Sequence, residues 1–137
     1  MEAKQMLEHM LGRTLFVVHS EPIEGAVDDG SLFGAHLRCL QSWERRGVLF
    51  AGGPYRDGGR ISQRAMYILR AASRAEAAAI AAEEPLHAHG IRRFSVDEWV
   101  LNQGRVGVTI DFSTQRGALD ADPCSKGDHI DDQQGAS

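Results

Sequence analysis

The chain carries only two cysteines, Cys39 and Cys124, in 137 residues, too few for the disulfide framework of a small secreted domain. One falls inside a helix-patterned segment and the other in a polar stretch, so reduced thiols in a cytoplasmic protein are the expectation. Long hydrophobic runs are missing as well. No stretch approaches the roughly eighteen apolar residues of a membrane span, and the start of the chain shows no basic region followed by an apolar one, so neither membrane insertion nor export is expected. Basic charge is scarce: the net charge is −4 and no basic stripe exists, which leaves nucleic acid without an electrostatic footprint. Metal-ligand spacing is also absent. His87 and His89 stand two apart in a turn-like segment with no third ligand at a recognisable spacing, so no metal is expected. Gly52-Gly53-Pro54 is rich in glycine but lacks the following helix with Gly-Lys-Ser/Thr that a phosphate loop requires.

What remains is the composition of one ordinary globular domain, 42% hydrophobic and 25% charged. A chain of this length buries roughly two thirds of its unfolded surface, enough for one core of sheet and helices without a staple. The acid excess gathers at the C-terminal end, where Asp120, Asp122, Asp128, Asp131 and Asp132 outnumber Arg116 and Lys126.

Residues 1–13 place Met6, Leu7, Met10 and Leu11 on one side of a short helix that ends near Gly12, an N-terminal extension. Thr14 to His19 reads as a buried strand and residues 20–31, with Pro22, Gly25 and Gly30, as a loop. From Leu32 to Arg46 the pattern is helical, with Phe33, Leu37, Leu40 and Trp43 on one flank and Gly47 as the stop. Val48 to Ala51 and Ala65 to Leu69 are strands around a glycine-rich turn region, Gly52 to Arg60. Ser73 to Glu84 is a helix with a capping-box start, Ser73 and Glu76, and a stop at Pro85. Arg92 to Trp99 is a strand with Phe94 and Val96 on one face, and Arg105 to Asp111 a further one. Past Ser113 periodicity is lost, so 114–137 is expected to be a polar, disordered tail and 14–113 the folded domain.

The order strand, helix, strand, strand, helix, strand predicts an α+β fold of the ferredoxin-like type. It is a βαββαβ antiparallel sheet with two helices on one face, plus an extra C-terminal strand. Two helices cover only one face of such a sheet, while the strand sequences are apolar on both sides. Pairing of two sheets in a homodimer resolves the difference.

His36 is the candidate for chemistry. At 100° per residue it projects between Leu40 and Trp43, on the apolar flank of its helix, where its ring nitrogens need partners. A carboxylate partner fixes one tautomer and suits the ring to general acid/base work near neutral pH. The plainer alternative is a core histidine satisfied by a backbone carbonyl.

Residues 14–100 resemble the YCII-related (YciI-like) family of the dimeric α/β-barrel superfamily through His36, Leu40, Gly47-Val48-Leu49, Gly53-Pro54, Glu84-Pro85 and Gly90. The resemblance implies face-to-face dimers and a His–Asp pair, with His36 on the first position and Glu84 standing where the family has Asp. Its neighbour Glu83 is the substitute for that role, and a solvated side chain in the last turn before Pro85 is the alternative for Glu84. It further implies a cofactor-independent enzyme that moves a proton on a small cyclic or aromatic-derived molecule, of the isomerase, lyase or dehydrohalogenase type. On that reading His36 and Glu84 are catalytic, and His19, Trp43, Gly53 and Pro54 contact the substrate. A non-catalytic ligand-binding or accessory subunit and a cofactor-independent oxygenase of the same fold are the alternatives.

Overall fold

The computed structural model describes residues 1–119. Along the chain run α1 (Ala3–Glu8), β1 (Arg13–Pro22), α2 (Phe33–Arg45), β2 (Leu49–Asp57), β3 (Arg60–Leu69), α3 (Arg74–Glu83), α4 (Pro85–Ala88), β4 (Arg92–Leu101), β5 (Val108–Asp111) and β6 (Arg116–Leu119). The strands form a four-stranded sheet in the order β2-β3-β1-β4 and a separate two-stranded sheet of β5 and β6. Every neighbour in the larger sheet is antiparallel. Because β3 inserts between β1 and β2, this is the ferredoxin-like α+β arrangement that the element order predicts.

The period-2 alternation of β1 sorts its side chains between two cores. Phe16 and Val18 face the helices and pack with Tyr67 and Leu69 of β3, Trp43 of α2, and Ala77 and Ala81 of α3. Leu15 and Val17 face the other way and cluster with Ile68, Met66 and Leu101. The second face thus carries its own buried cluster, and Trp99, opposite Leu15 in the register, stays 39% exposed on it.

Several boundaries depart from the sequence reading, each for a local reason. The N-terminal helix is shorter than 1–13: it stops at Glu8, Gly12 turns the chain at φ 62, and Met6, Leu7 and Leu11 stay exposed. The segment expected to be a glycine-rich turn is strand: β2 runs through Gly52-Gly53-Pro54 with register shifts on either side. An edge strand tolerates Pro54, whose missing N–H is lost to no ladder partner, and irregular pairing accommodates the glycines. The true hairpin turn lies at Gly58 and Gly59, both at positive φ, as a two-residue connection between β2 and β3 demands.

The capping box at the start of α3 is also modified. Ser73 Oγ accepts from the Glu76 amide, but the Glu76 carboxylate reaches the amide of Ala72 rather than that of Ser73. Pro85 does end α3, and it also opens the single turn α4, where a proline at the first position is favourable.

The chain divides into two compact units, Met1–Asn102 and one that begins at Gln103. The extra C-terminal strand therefore does not join the main sheet. β5 pairs with β6, so Arg116–Leu119, expected to be part of the tail, is strand. The remainder of that tail, 120–137, lies outside the described residues. Among the described residues no helix is long and apolar enough to cross a membrane.

Candidate active site

Glu84 begins as an ordinary helix-end residue and is redirected by its neighbour. The proline that follows disfavours helical backbone at position 84, and Glu84 takes φ −61 and ψ 130, closing α3 and capping α4. Its side chain leaves the exposed track that Glu83 keeps and turns into the interior, where the residue is only 1% exposed. There it meets His36 on α2. The imidazole Nδ1–H donates to Glu84 Oε1 at 2.7 Å, with both side chains buried. A carboxylate only accepts, so a hydrogen is placed on Nδ1, and Nε2 has no partner among the described residues.

Burial by itself pushes a carboxyl upward. At Glu84 the hydrogen bond from His36, the Leu86 amide and the charges of His36 and His87 outweigh burial and hold the group below its ordinary value. The carboxylate is therefore ionised at neutral pH. Of the two glutamates weighed from the sequence, position 84 alone reaches the histidine.

A second histidine lies against the same carboxylate. His87, inside α4, has a side chain only 1% exposed, with Nδ1 3.8 Å from Glu84 Oε2. Its Nδ1–H donates to the Ala81 carbonyl at 2.7 Å, and Nε2 lies 2.7 Å from Ser20 Oγ. With Nδ1 protonated, the neutral ring accepts at Nε2, so the Ser20 hydroxyl donates to it. Ser20 Oγ in turn accepts from Arg92 Nε at 2.9 Å. One terminal nitrogen of Arg92 donates to the Ser20 carbonyl at 2.9 Å and also to the Gln63 carbonyl. Burial pushes His87 below its usual value against the opposing pull of Ala81 and Glu84, so at neutral pH the chain of donors has one direction.

These groups border a cavity of about 430 Å³ between α2 and the sheet. Leu37, Leu40, Leu49, Ile61 and Leu86 supply its apolar walls, and His36, Tyr67 and Arg92 its polar points. Strand register explains the floor. Tyr67 stands opposite Gly52, and Ala65 opposite both Pro54 and Ser20, all on the helix-facing side. A Cβ on Gly52 would sit 2.7 Å from the Tyr67 ring, so glycine there lets the backbone approach the ring. Burial, reinforced by the Glu84 charge, pushes the Tyr67 phenol upward and keeps it protonated.

Of the candidate residues, His36, Gly53 and Pro54 border this cavity, and Glu84 stands behind His36. Trp43 does not reach it. It is 1% exposed and packs edge-on against Tyr67, with ring centroids 6.4 Å apart, because its place on α2 aims at the sheet rather than the cavity. His19 lies on the opposite face of the sheet. Odd-numbered positions of β1 point away from the helices, and His19 pairs with Asp97 at 3.4 Å beside a separate pocket of about 170 Å³. His87 and His89 diverge rather than form a pair: His87 turns inward, whereas His89 stays exposed with its ring on the Pro85 carbonyl.

Ser20 and Arg92 were not singled out from the sequence, and His87 was weighed only with His89 as a turn pair. Their signal was parity: Arg92 shares the inward face of Phe94 and Val96, and Ser20 that of Phe16 and Val18 once β1 extends past His19.

The antiparallel sheet of order β2-β3-β1-β4 with its helices places the chain among ferredoxin-like α+β proteins. The sequence pattern of the YCII-related domain matches residues 14–100. The chain belongs to the YCII-related family. Among curated proteins no match is found. Among solved structures, the chain is similar to 5-chloro-2-hydroxyhydroquinone dehydrochlorinase (TftG) from Burkholderia phenoliruptrix AC1100 in complex with 2,5-dihydroxybenzoquinone. The two are 21% identical with a TM-score of 0.52, and the match covers 62% of this chain and 92% of that one. At this identity the likeness establishes the shared fold.

Proposed function

We propose that the protein is a cofactor-independent enzyme in which His36, oriented by Glu84, moves a proton on a small cyclic or aromatic-derived molecule bound in the cavity. The observation that carries this reading is the 2.7 Å contact between His36 Nδ1 and the buried Glu84 carboxylate. It fixes the tautomer, leaves Nε2 as a base, and places a negative charge where it stabilises the imidazolium that forms. In the step so served, a C–H or O–H bond beside a carbonyl breaks and the proton passes to Nε2. The electron pair is left as an enolate or phenolate. Return of the proton at another atom completes an isomerisation, and departure of a leaving group completes an elimination. Both are redox-neutral and need only an acid and a base. The fold shared with TftG, whose name gives it a chlorinated hydroxyhydroquinone as substrate, supports a ring of that size.

The setting taken for this enzyme is the cytoplasm, in keeping with the free thiol of Cys39. Its working form is taken as a homodimer joined through the sheet face that bears Trp99. A monomeric mass in solution at micromolar concentration overturns the dimer.

The assay is chloride release from 5-chloro-2-hydroxyhydroquinone, alongside a panel of lactones and hydroxyquinones. Expected is turnover that falls about 10²- to 10⁴-fold in His36→Ala, the range of a lost general acid/base. Full turnover in that variant overturns the catalytic role. Binding without turnover across the panel favours a ligand-binding subunit, and oxygen consumption an oxygenase.

A further inference from the structure

Arg92 presents a charge for which no counter-ion lies among the described residues. An arginine has five N–H donors in a planar fork. Three of them are committed: Nε–H to Ser20 Oγ, and both hydrogens of one terminal nitrogen to the carbonyls of Ser20 and Gln63. The other terminal nitrogen has no acceptor among the described residues, and no carboxylate among them forms an ion pair with Arg92. The side chain is half-buried and borders the His36 cavity.

The other charged residues of that cavity are engaged elsewhere. Arg64 leans over the Tyr55 ring at 4.6 Å and lies 3.9 Å from Asp57. Asp28 is exposed and accepts from the Gly30 amide at 2.9 Å. The three hydrogen bonds of Arg92 all go to uncharged oxygens, so they fix its direction without neutralising it. Ser20, which takes two of them, is itself held by His87 on the far side. A cation fixed in this way in a partly desolvated pocket, with two N–H groups to spare, is complementary to an anionic oxygen.

We propose that Arg92 is the anion seat of this cavity, taking the ionised oxygen (phenolate, enolate or carboxylate) of a small ring-shaped organic molecule whose reacting proton faces His36. The assignment rests on the acid/base reading of His36 for its second half only; the anion preference stands on Arg92. In the proton transfer described above, the electron pair released to the ring oxygen comes to rest against the spare N–H groups of Arg92. Positioning and charge stabilisation are thereby separated from proton transfer.

The test is calorimetric titration of the full chain with benzoate and with benzamide, which share a ring and differ in charge. Benzoate is expected to bind more tightly by about ten- to a hundredfold, the range that hydrogen bonds to charged groups provide. Arg92→Met is expected to erase the difference and Arg92→Lys to keep part of it. In the parent protein the Arg92 guanidinium NMR signal shifts with benzoate and not with benzamide, a readout that needs no folded variant. Equal affinity for the two probes, binding of neither, or a preference that survives Arg92→Met overturns the proposal. His36→Ala separates the two readings: it lowers the proposed turnover about 10²- to 10⁴-fold and leaves the benzoate preference intact. Loss of the preference in His36→Ala with retention in Arg92→Met places the charge on the imidazole and also overturns the seat.

Discussion

His36 and Glu84 lie 48 residues apart in the chain and meet at 2.7 Å in the interior, on a helix and on the proline-redirected junction of two others. Neither has another charged group as near: the closest competitor for the carboxylate is His87, at 3.8 Å. The pair is therefore both a chemical unit and a structural tie between α2 and the α3–α4 corner.

That tie has a measurable stability. Removing Glu84 leaves the buried Nδ1–H of His36 without its acceptor, so Glu84→Ala is expected to lower unfolding free energy by about 1–3 kcal/mol. Glu84→Gln retains an acceptor for Nδ1–H and is expected to cost only about 1 kcal/mol. Urea unfolding of the two variants checks the order, and an alanine variant as stable as the parent contradicts it.

Acid acts on the same cluster in two windows. The folded state holds His87 below its ordinary value of 6.5, so the unfolded chain binds the proton more readily. His87 therefore contributes stability that is complete above pH 6.5 and declines as pH falls toward its folded value. Glu84, held below 4.5, contributes stability that is complete above pH 4.5 and is lost as pH falls through its folded value. Thermal midpoints measured from pH 8 to pH 3 should show both declines, and His87→Gln should remove the upper one alone.

Two adjacent glycines of the cavity floor should respond differently to the same change. A Cβ at position 52 meets the Tyr67 ring at 2.7 Å and the Met66 carbonyl at 3.2 Å, whereas at position 53 nothing lies within 4 Å. Gly52→Ala is expected to cost about 1–3 kcal/mol through overpacking, and Gly53→Ala to stay within about 0.5 kcal/mol. Denaturation midpoints decide, and equal effects at the two positions contradict the register of β2 on β3.

Trp43 separates the core from the site. Trp43→Phe is expected to lower stability by about 1–3 kcal/mol, because it removes part of a fully buried ring packed on Tyr67. Benzoate affinity of the folded variant should stay within about twofold of the parent. A tenfold loss of affinity without loss of stability puts Trp43 in the cavity wall after all.

Local patterns carried most of the fold. Apolar runs rich in β-branched and aromatic residues marked the four long strands, the Ser73 start and Pro85 stop marked α3, and the inward flank of α2 put His36 in the interior. Edges were less legible. The strand through Gly52-Gly53-Pro54 reads as a turn in sequence, because only its position at the sheet edge makes glycine and proline tolerable there. The candidate site was half legible. His36 stood out as a polar residue on an apolar flank, and Glu84 through the resemblance that sets it where the family has Asp. His19 and Trp43 were drawn in by proximity along the chain, and a strand's two faces and a helix's aim toward the sheet sent them elsewhere.

The sequence by itself determined which residues face inward, since periodicity depends only on the geometry of a strand or a helix. It also marked where α2 and α3 end, at Gly47 and Pro85, since glycine and proline act on their own backbone. Which inward residues meet was decided by the tertiary structure. Ser20, His87 and Arg92 come from β1, α4 and β4, up to 72 residues apart. They form one directed chain of hydrogen bonds only because antiparallel register brings the ends of β1 and β4 together beneath α4. A charge left without a counter-ion, as at Arg92, is likewise a property of the assembled neighbourhood, because complementarity is decided by what lies within a few ångströms in space and not by what lies near in sequence.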